Sequence, residues 1–294
     1  MLDNLAYYSF IFLQKISLIL PPFAKKSIAK ALAYLFYRFH KRYYKVARAN
    51  LDFIYEDKLT NEQKEKIIKD MFYNLAQNFG SFIENQGISK ERLLKKVTFK
   101  NEEILLNALK SGRPVVFITG HVSNWEILPL AISAKYVPLV GVGRALKQPW
   151  LDKILKKNRE QFGINMIEKH GAMREMVRVV KQKRVLGLLV DQNLTGEIVD
   201  FFGKKARHTT AAALLARKMN AIVIPCFITR VGFEKYEATF YEPLEVEKTD
   251  NIEQDIKNHT QKQADITQKV IEKSPHEWLW IHRRWKHLYP HIYK

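Results

Sequence analysis

The sequence has little cysteine and lacks the spacings that usually bind a catalytic metal. Its one cysteine, Cys226, lies in the apolar run 221–228 and has no partner in the chain for a disulfide. We therefore expect a buried thiol and a reducing compartment. No His-Glu-x-x-His block and no paired cysteines occur, which argues against metal catalysis, so we expect neither a metal nor another bound cofactor.

The sequence also lacks an apolar run long enough to cross a bilayer as a regular helix. Residues 5–20 are apolar apart from Gln14 and Lys15, but as a helix they would reach ~24 Å, short of a hydrocarbon core of ~30 Å. No basic segment precedes them and two prolines follow, which argues against a cleaved secretory signal. We expect an N-terminal membrane-associated helix that inserts obliquely or lies in the interface. The alternative is a helix docked on a soluble core.

Acidic residues are few: 30 Asp and Glu stand against 49 Lys and Arg in 294 residues, for a net charge of +19. Such an excess predicts an anionic partner, either nucleic acid, acidic lipid, a phosphorylated substrate or an acidic protein. Between Lys25 and Arg48 basic residues alternate with aromatic ones, as in helices that lie at a bilayer surface and keep the following domain in the cytoplasm. We divide the chain into a membrane-anchoring segment, 1–50, and a catalytic domain, 51–294.

Apolar runs alternate with amphipathic stretches over most of the chain, which predicts an α/β fold with a mixed, largely parallel sheet flanked by helices. The expected strands are 115–118, 137–142, 165–167, 185–190, 221–228 and an antiparallel 235–241, and the main helices are 61–84, 123–133, 150–162, 173–183, 211–219 and 252–271.

One strand ends in a turn that carries a histidine. Gly120 and His121 follow the run 115–118, and Glu126 comes five residues after the histidine. With His121 on the turn and Glu126 one turn into the next helix, the carboxylate could hydrogen-bond the imidazole and stabilise its protonated form. No serine or cysteine nucleophile is evident, so we expect a base that activates a substrate hydroxyl. A second His-x4-Glu spacing, at His170, lies in a basic polar segment and is interpreted as exposed.

Two more strands end in chemically useful side chains. Arg144 follows the run 137–142 and Asp191 follows the run 185–190. The carboxyl ends of parallel strands meet at one edge of a sheet, so both residues could line one cleft with His121. The structural alternatives are a hydrogen-bonded histidine at a strand end, a surface salt bridge for Arg144 and a loop-holding carboxylate for Asp191.

The assembled blocks resemble the lipid A biosynthesis acyltransferases, within the lysophospholipid acyltransferase superfamily. The matching segments are Gly120-His-Val-Ser-Asn-Trp-Glu126, Gly143-Arg-Ala-Leu-Lys-Gln-Pro149, Asp191-Gln-Asn through Phe201-Phe-Gly203 and Ala206, Val223-Ile-Pro225 and Pro275-His-Glu-Trp-Leu-Trp-Ile-His-Arg-Arg-Trp285.

This resemblance implies a protein anchored at the cytoplasmic face of the inner membrane. It would move a fatty acyl chain from the thioester of acyl carrier protein to a hydroxyl of an acylated, Kdo-bearing lipid A precursor. His121 and Glu126 match the catalytic pair of the family, and Asn124, Arg144, Asp191 and Gln192 are expected to bind substrate. Acyl carrier protein, the lipid precursor and membrane lipids are the expected partners.

Two other functions remain open. One is another enzyme, either a membrane O-acyltransferase that acts on a phospholipid or glycolipid or an acyl hydrolase that uses water. The absence of a Phe-Pro-Glu-Gly-Thr-Arg block argues against a glycerophospholipid acyltransferase. The other is a basic nucleic-acid-binding protein, which would bind nucleic acid tightly and in a salt-sensitive manner. We expect no nucleic-acid partner, because that function leaves the His121 turn unexplained.

Overall fold

A computed structural model describes residues 2–146, 148–168, 171–193 and 195–294. Its helices are α1 (Leu2–Ile19), α2 (Pro22–Phe39), α3 (Lys41–Tyr55), α4 (Asn61–Asn85), α5 (Lys90–Leu94), α6 (Glu102–Lys110), α7 (Ile127–Lys135), α8 (Pro149–Arg159), α9 (Ala172–Lys181), α10 (Ala211–Met219) and α11 (Ile252–Lys273). The exposed side chain predicted for His170 lies outside the described residues.

The strands are β1 (Val97–Lys100), β2 (Val115–Thr119), β3 (Leu139–Gly143), β4 (Asn165–Glu168), β5 (Val185–Leu189), β6 (Glu197–Phe201), β7 (Lys204–His208), β8 (Ile222–Gly232) and β9 (Lys235–Phe240). Seven of them form one sheet in the order β1-β9-β8-β2-β5-β3-β4. Each neighbouring pair is parallel except β8 and β9. The predicted mixed, largely parallel sheet and its antiparallel strand are confirmed.

Strand β2 shows why these sequences form a central sheet. Val115 and Phe117 face a core shared with α6 and α7, whereas Val116 and Ile118 face a core shared with α9 and α10. A strand covered by helices on both faces reads as a continuous apolar run. Strand β2 therefore lies in the middle layer between two layers of helices, and the turn that follows it emerges at the edge of the sheet.

A smaller antiparallel hairpin, β6–β7, was not predicted from the sequence. It packs on α11, where Gln261 and Gln268 accept hydrogen bonds from backbone N–H groups of the hairpin. Phe201 of the hairpin contacts Trp278 and Trp285 from the segment after α11. This buried aromatic cluster ties that late segment to the hairpin.

Helix α1 lies on the surface of α4 and α8. Phe10 is buried with Ile83 and Ile154, and Ser17 donates a hydrogen bond of 2.7 Å to Glu84. No helix in the described part of the chain has both the length and the apolar content needed to span a bilayer. The packing of α1 on α4 and α8 fits the alternative of a helix docked on the core, and its association with a membrane stays a prediction.

The rest of the N-terminal segment shares a core with later residues. Ala29 and Ala33 of α2 and Leu51 of α3 belong to the same buried cluster as Trp278 and Trp285. Outward-facing aromatic side chains, such as Phe23 and Phe39, remain exposed on α2. The division of the chain at residue 50 stays a prediction.

Candidate active site

The turn after β2 is held from two sides. A Cβ atom on Gly120 would lie 3.2 Å from the Asp191 Cγ, so the absence of a side chain lets the β5 loop approach. The His121 carbonyl accepts a hydrogen bond of 3.1 Å from the Leu279 N–H, and the Ser123 N–H donates one of 2.8 Å to the Glu277 carbonyl. The segment after α11 therefore fixes the backbone on which His121 sits.

The His121 imidazole is oriented by Asp191. Its Nδ1 is 2.8 Å from Asp191 Oδ1, and its backbone N–H donates to Asp191 Oδ2 at 2.7 Å. The Trp278 indole N–H also donates to Oδ2, at 2.8 Å. Three N–H groups thus converge on one carboxylate, which the strand order explains because β2 and β5 are neighbours.

Asp191 is ionised although it is buried. Burial alone would raise the pKa of its carboxyl, but the charge and hydrogen bonds of His121 and the Trp278 hydrogen bond hold that pKa well below its usual range. A carboxylate only accepts hydrogen bonds, so the Nδ1 atom of His121 carries the proton. The Nε2 atom is left as the basic nitrogen, on a side chain that is 16% exposed.

Glu126 does not form the predicted hydrogen bond with His121, and that part of the prediction is wrong. Its carboxylate pairs with Arg159, from Nε at 2.9 Å and from the NH2 nitrogen at 2.5 Å, and accepts from the Trp125 indole at 3.2 Å. Burial by itself lowers the pKa of Arg159, but the ion pair with Glu126 raises it above the ordinary value.

The reason lies in where α7 begins. We expected a helix from residue 123, but Ser123 has a left-handed backbone with φ of 52°, and the helix starts only at Ile127. Glu126 therefore lies in the turn rather than one turn into the helix. Trp125 lies between the two predicted partners, with its ring 5.2 Å from the His121 ring. A catalytic role for Glu126 stays a prediction.

Gln192 lies on the open side of the imidazole. Its Nε2 is 3.1 Å from His121 Nε2, so the amide donates to the same lone pair that would accept a proton. The backbone carbonyl of Gln192 accepts a hydrogen bond of 2.8 Å from the Arg284 guanidinium. Of the four residues predicted to bind substrate, Gln192 and Asp191 lie directly on His121.

Asn124 and Arg144 are placed differently. Asn124 is buried, and its amide donates 3.0 Å hydrogen bonds to the Ser81 and Tyr236 hydroxyls. This geometry gives it a structural part in the turn, and its contact with substrate stays a prediction. Arg144 is exposed just after β3, and β5 separates β3 from β2. The predicted convergence of the three strand ends on one edge is confirmed.

Sequence reasoning missed Arg284, which is buried beneath the site. Its guanidinium donates to the carbonyls of Gln192 and Arg207 and lies 3.1 Å from His208 Nδ1. Burial lowers the pKa of Arg284 to about 10, while the nearby charge of Asp191 favours the cation. Arg284 thus stays charged and offsets the buried carboxylate. It lies in the late block 275–285, whose sequence carries the family resemblance but predicts no role for this arginine.

No group of three or more His, Cys, Asp or Glu side chains in the described residues is placed to hold a metal ion. The site itself is built from side chains at this edge of the sheet. They are the His121 imidazole, the ionised carboxylate behind it, an amide and an adjacent Arg–Glu ion pair. This arrangement can remove a proton from a hydroxyl and return it to a leaving group.

Several curated proteins are similar to the chain. The lipid A biosynthesis acyltransferase of Haemophilus influenzae is 22% identical over 240 residues, which are 80% of this chain and 73% of that protein. The phosphatidylinositol mannoside acyltransferase of Mycolicibacterium smegmatis is 27% identical over 187 residues, 62% and 60% of the two chains. The lipid A biosynthesis acyltransferase 2 of Shigella flexneri is 23% identical over 184 residues, 62% and 58%.

The last two alignments span about three fifths of those relatives. The model of the bacterial lipid A biosynthesis acyltransferases matches residues 2–287, nearly the whole chain, including both segments that build the His121 site. The resemblance of the sequence motifs and this match agree, and the chain belongs to the bacterial lipid A biosynthesis acyltransferase family and is an acyltransferase.

Proposed function

We propose that this acyltransferase moves a fatty acyl chain from the thioester of acyl carrier protein to a hydroxyl of an acylated, Kdo-bearing lipid A precursor. The observation that carries the proposal is the state of His121. Its Nδ1 is bound to the ionised Asp191 and its Nε2 is left as an acceptor at the open edge of the sheet. That is the arrangement of a general base.

In the proposed reaction His121 Nε2 takes the proton of the acceptor hydroxyl as its oxygen attacks the thioester carbonyl. A new C–O bond forms and a tetrahedral oxyanion results. The C–S bond then breaks, and the imidazolium returns the proton to the departing thiolate of the carrier. Asp191 lies 2.8 Å from Nδ1 and stabilises the imidazolium between the two transfers.

Gln192 Nε2 stands where the acceptor hydroxyl would approach, 3.1 Å from His121 Nε2. We expect the incoming hydroxyl to displace this hydrogen bond, after which the amide can donate to the substrate oxygen or to the oxyanion. The N–H groups of His121 and Ser123 are already engaged. Oxyanion donors should therefore come from other N–H groups of the turn, from Gln192 or from Arg144.

The partners follow from charge and exposed apolar surface. The net charge of +19 suits the phosphates and carboxylates of the acceptor and the acidic surface of acyl carrier protein. Phe12, Phe23 and Phe39 are exposed on α1 and α2, which fits association with the cytoplasmic face of the inner membrane. Replacing all three with serine should reduce sedimentation with membranes, and unchanged sedimentation would assign the contact to another surface.

A second candidate acceptor is a phosphatidylinositol mannoside. The relative with that name in Mycolicibacterium smegmatis is 27% identical, against 22% and 23% for the two lipid A enzymes named above. The base chemistry would be the same, because both reactions acylate a hydroxyl of a glycolipid.

Mass spectrometry of lipids from cells lacking and regaining the protein tests both acceptors. The lipid A proposal expects a lipid A species heavier by one acyl chain on complementation, with fragmentation naming the hydroxyl. The His121→Ala protein should not restore it. A mass change confined to another glycolipid would support the second acceptor, and no change in any acylated lipid would contradict both.

A further inference from the structure

A basic pocket lies at the same edge of the sheet, away from His121. It is an open cavity of about 380 Å³ whose lining includes Lys26, Arg92, Lys95, Lys96, Lys235 and Phe233. These residues come from three separate places: the first turn of α2, the junction of α5 with β1, and the turn between β8 and β9. Strand β8 runs parallel to β2, so its end lies at the edge that carries the histidine.

Most of the positive charge in the basic pocket is uncompensated. Lys96 pairs with Glu84 at 3.5 Å and with Glu234 at 3.4 Å, while Lys25, behind the pocket, binds Glu84 at 2.6 Å. These two lysines therefore balance the two carboxylates.

The other four cations of the pocket have no carboxylate within salt-bridge distance in the described chain. Lys26 lies 5.2 Å above the Phe233 ring, and Lys235 donates to the Lys95 carbonyl. Arg92 and Lys95 are exposed at its rim. The nearby Glu91 is exposed; its carboxylate is engaged by its own backbone and Ser89 and interacts through space with Lys90 and Lys95, so it offsets only part of the charge at the rim. Cations left together in a concave site point to an anionic ligand.

Apolar side chains adjoin the pocket. Pro22 belongs to its lining, and the flanking Ile19 and Phe23 are 81% and 73% exposed at the corner between α1 and α2. A ligand that satisfied both surfaces would carry a compact anionic head and an apolar body. A concave site of this kind suits a headgroup better than the convex face of an acidic protein.

We propose that the basic pocket binds the phosphate-bearing headgroup of an anionic lipid, with the lipid chains against Ile19 and Phe23. This site is separate from the His121 centre and does not depend on acyl transfer. It would hold the enzyme on a phosphate-rich bilayer surface with the open edge of the sheet facing the lipid.

The test uses the full chain and vesicle sedimentation. One set of vesicles is phosphatidylcholine with about a fifth phosphatidic acid, and the other carries equal charge as oleate, which has no phosphate. The wild-type protein should prefer phosphatidic acid. A triple variant, Lys26→Gln, Arg92→Gln and Lys95→Gln, should lose that preference and bind on the order of a hundredfold more weakly, from about fivefold per basic residue.

The matched control removes the same charge from the opposite edge of the sheet. Lys110, Lys181 and Lys218 are exposed at the ends of the helices that lead into β2, β5 and β8, and their triple glutamine variant should keep the preference. If both triple variants lost the same amount of vesicle binding, the binding would depend on the overall positive charge and not on the pocket, and the proposal would be overturned. Thermal unfolding checks that each variant is folded, and the single variants of Lys26 and Arg92 serve if the triple is not.

Two further arms separate the competing explanations. His121→Ala should bind both kinds of vesicle as the wild type does, so a failure of the acyl-transfer proposal leaves this test intact. If the pocket variant keeps its vesicle binding but loses binding to purified acyl carrier protein, the occupant is an acidic protein and the lipid proposal is wrong. Binding of inorganic phosphate as tight as that of the vesicles would likewise overturn the lipid part.

Discussion

Asp191→Asn should disable His121 without emptying the site. The Oδ2 position accepts two fixed N–H donors, from the His121 backbone at 2.7 Å and from Trp278 at 2.8 Å. The asparagine carbonyl oxygen must therefore occupy that position, which places its NH2 group where Oδ1 stood, 2.8 Å from Nδ1. An amide donor there forces the imidazole proton onto Nε2, the atom that has to accept one.

The expected loss in kcat is on the order of 10⁴-fold, as in a serine protease whose aspartate is changed to asparagine. This corresponds to about 5 kcal/mol of transition-state stabilisation. Transfer from the proposed donor, an acyl carrier protein thioester, to the proposed lipid acceptor measures the loss, and nitrogen NMR of the imidazole reports the tautomer directly. Asp255→Asn is the matched control, because Asp255 of α11 is also buried but pairs with Arg217 of α10, away from His121.

A folded Asp191→Asn protein with kcat within about tenfold of the wild type would refute this reasoning. So would an imidazole proton that stays on Nδ1. Loss of activity in the Asp255 control at unchanged substrate affinity would show that the fall reports fold damage rather than the tautomer.

Three other changes test neighbouring contacts. Glu126 and Arg159 share one ion pair, so the effect of the double variant Glu126→Gln, Arg159→Met on kcat/KM should differ from the sum of the two single effects by about 0.5–3 kcal/mol. Effects that simply add would show that this ion pair has no part in the chemistry. Burial and Arg284 lower the pKa of His208 to about 3 in the folded chain, against 6.5 ordinarily. The folded chain therefore disfavours protonation of His208, and the free energy of unfolding should fall by up to about 5 kcal/mol as pH falls from 6.5 toward 3. Urea unfolding at several pH values measures this fall, which should be smaller in His208→Gln. Gly120→Ala should cost about 1–3 kcal/mol in thermal unfolding and lower kcat, because its Cβ would press on Asp191; wild-type values would show that the loop yields freely.

The sheet could be predicted from the sequence because each buried strand is a short apolar run between helical stretches. The same reasoning placed His121 and Asp191 at strand ends. It did not pair them, because the order of strands in a sheet depends on long-range packing: β2 and β5 are neighbours although β3 and β4 lie between them in the chain.

Glu126 shows the limit of local spacing. The spacing of five residues suggested that the Glu126 carboxylate would bind His121. In the structure the left-handed backbone of Ser123 makes the helix begin later, and Glu126 instead forms an ion pair with Arg159 of α8. Arg284 and Trp278 were out of reach for a related reason. Their contacts with residues 191 and 192 are made by chain that is distant in sequence, and no local pattern marks a buried polar side chain for such a contact.

The dependence of Asp191 on Trp278 has a consequence during synthesis. The two residues are 87 positions apart, so at common translation rates the ribosome needs roughly 4 to 17 seconds to pass from one to the other. During that interval the strand carrying His121 already exists, but the indole and the guanidinium that complete its surroundings do not. We therefore expect the His121 site to be complete only after nearly all of the chain has been synthesised.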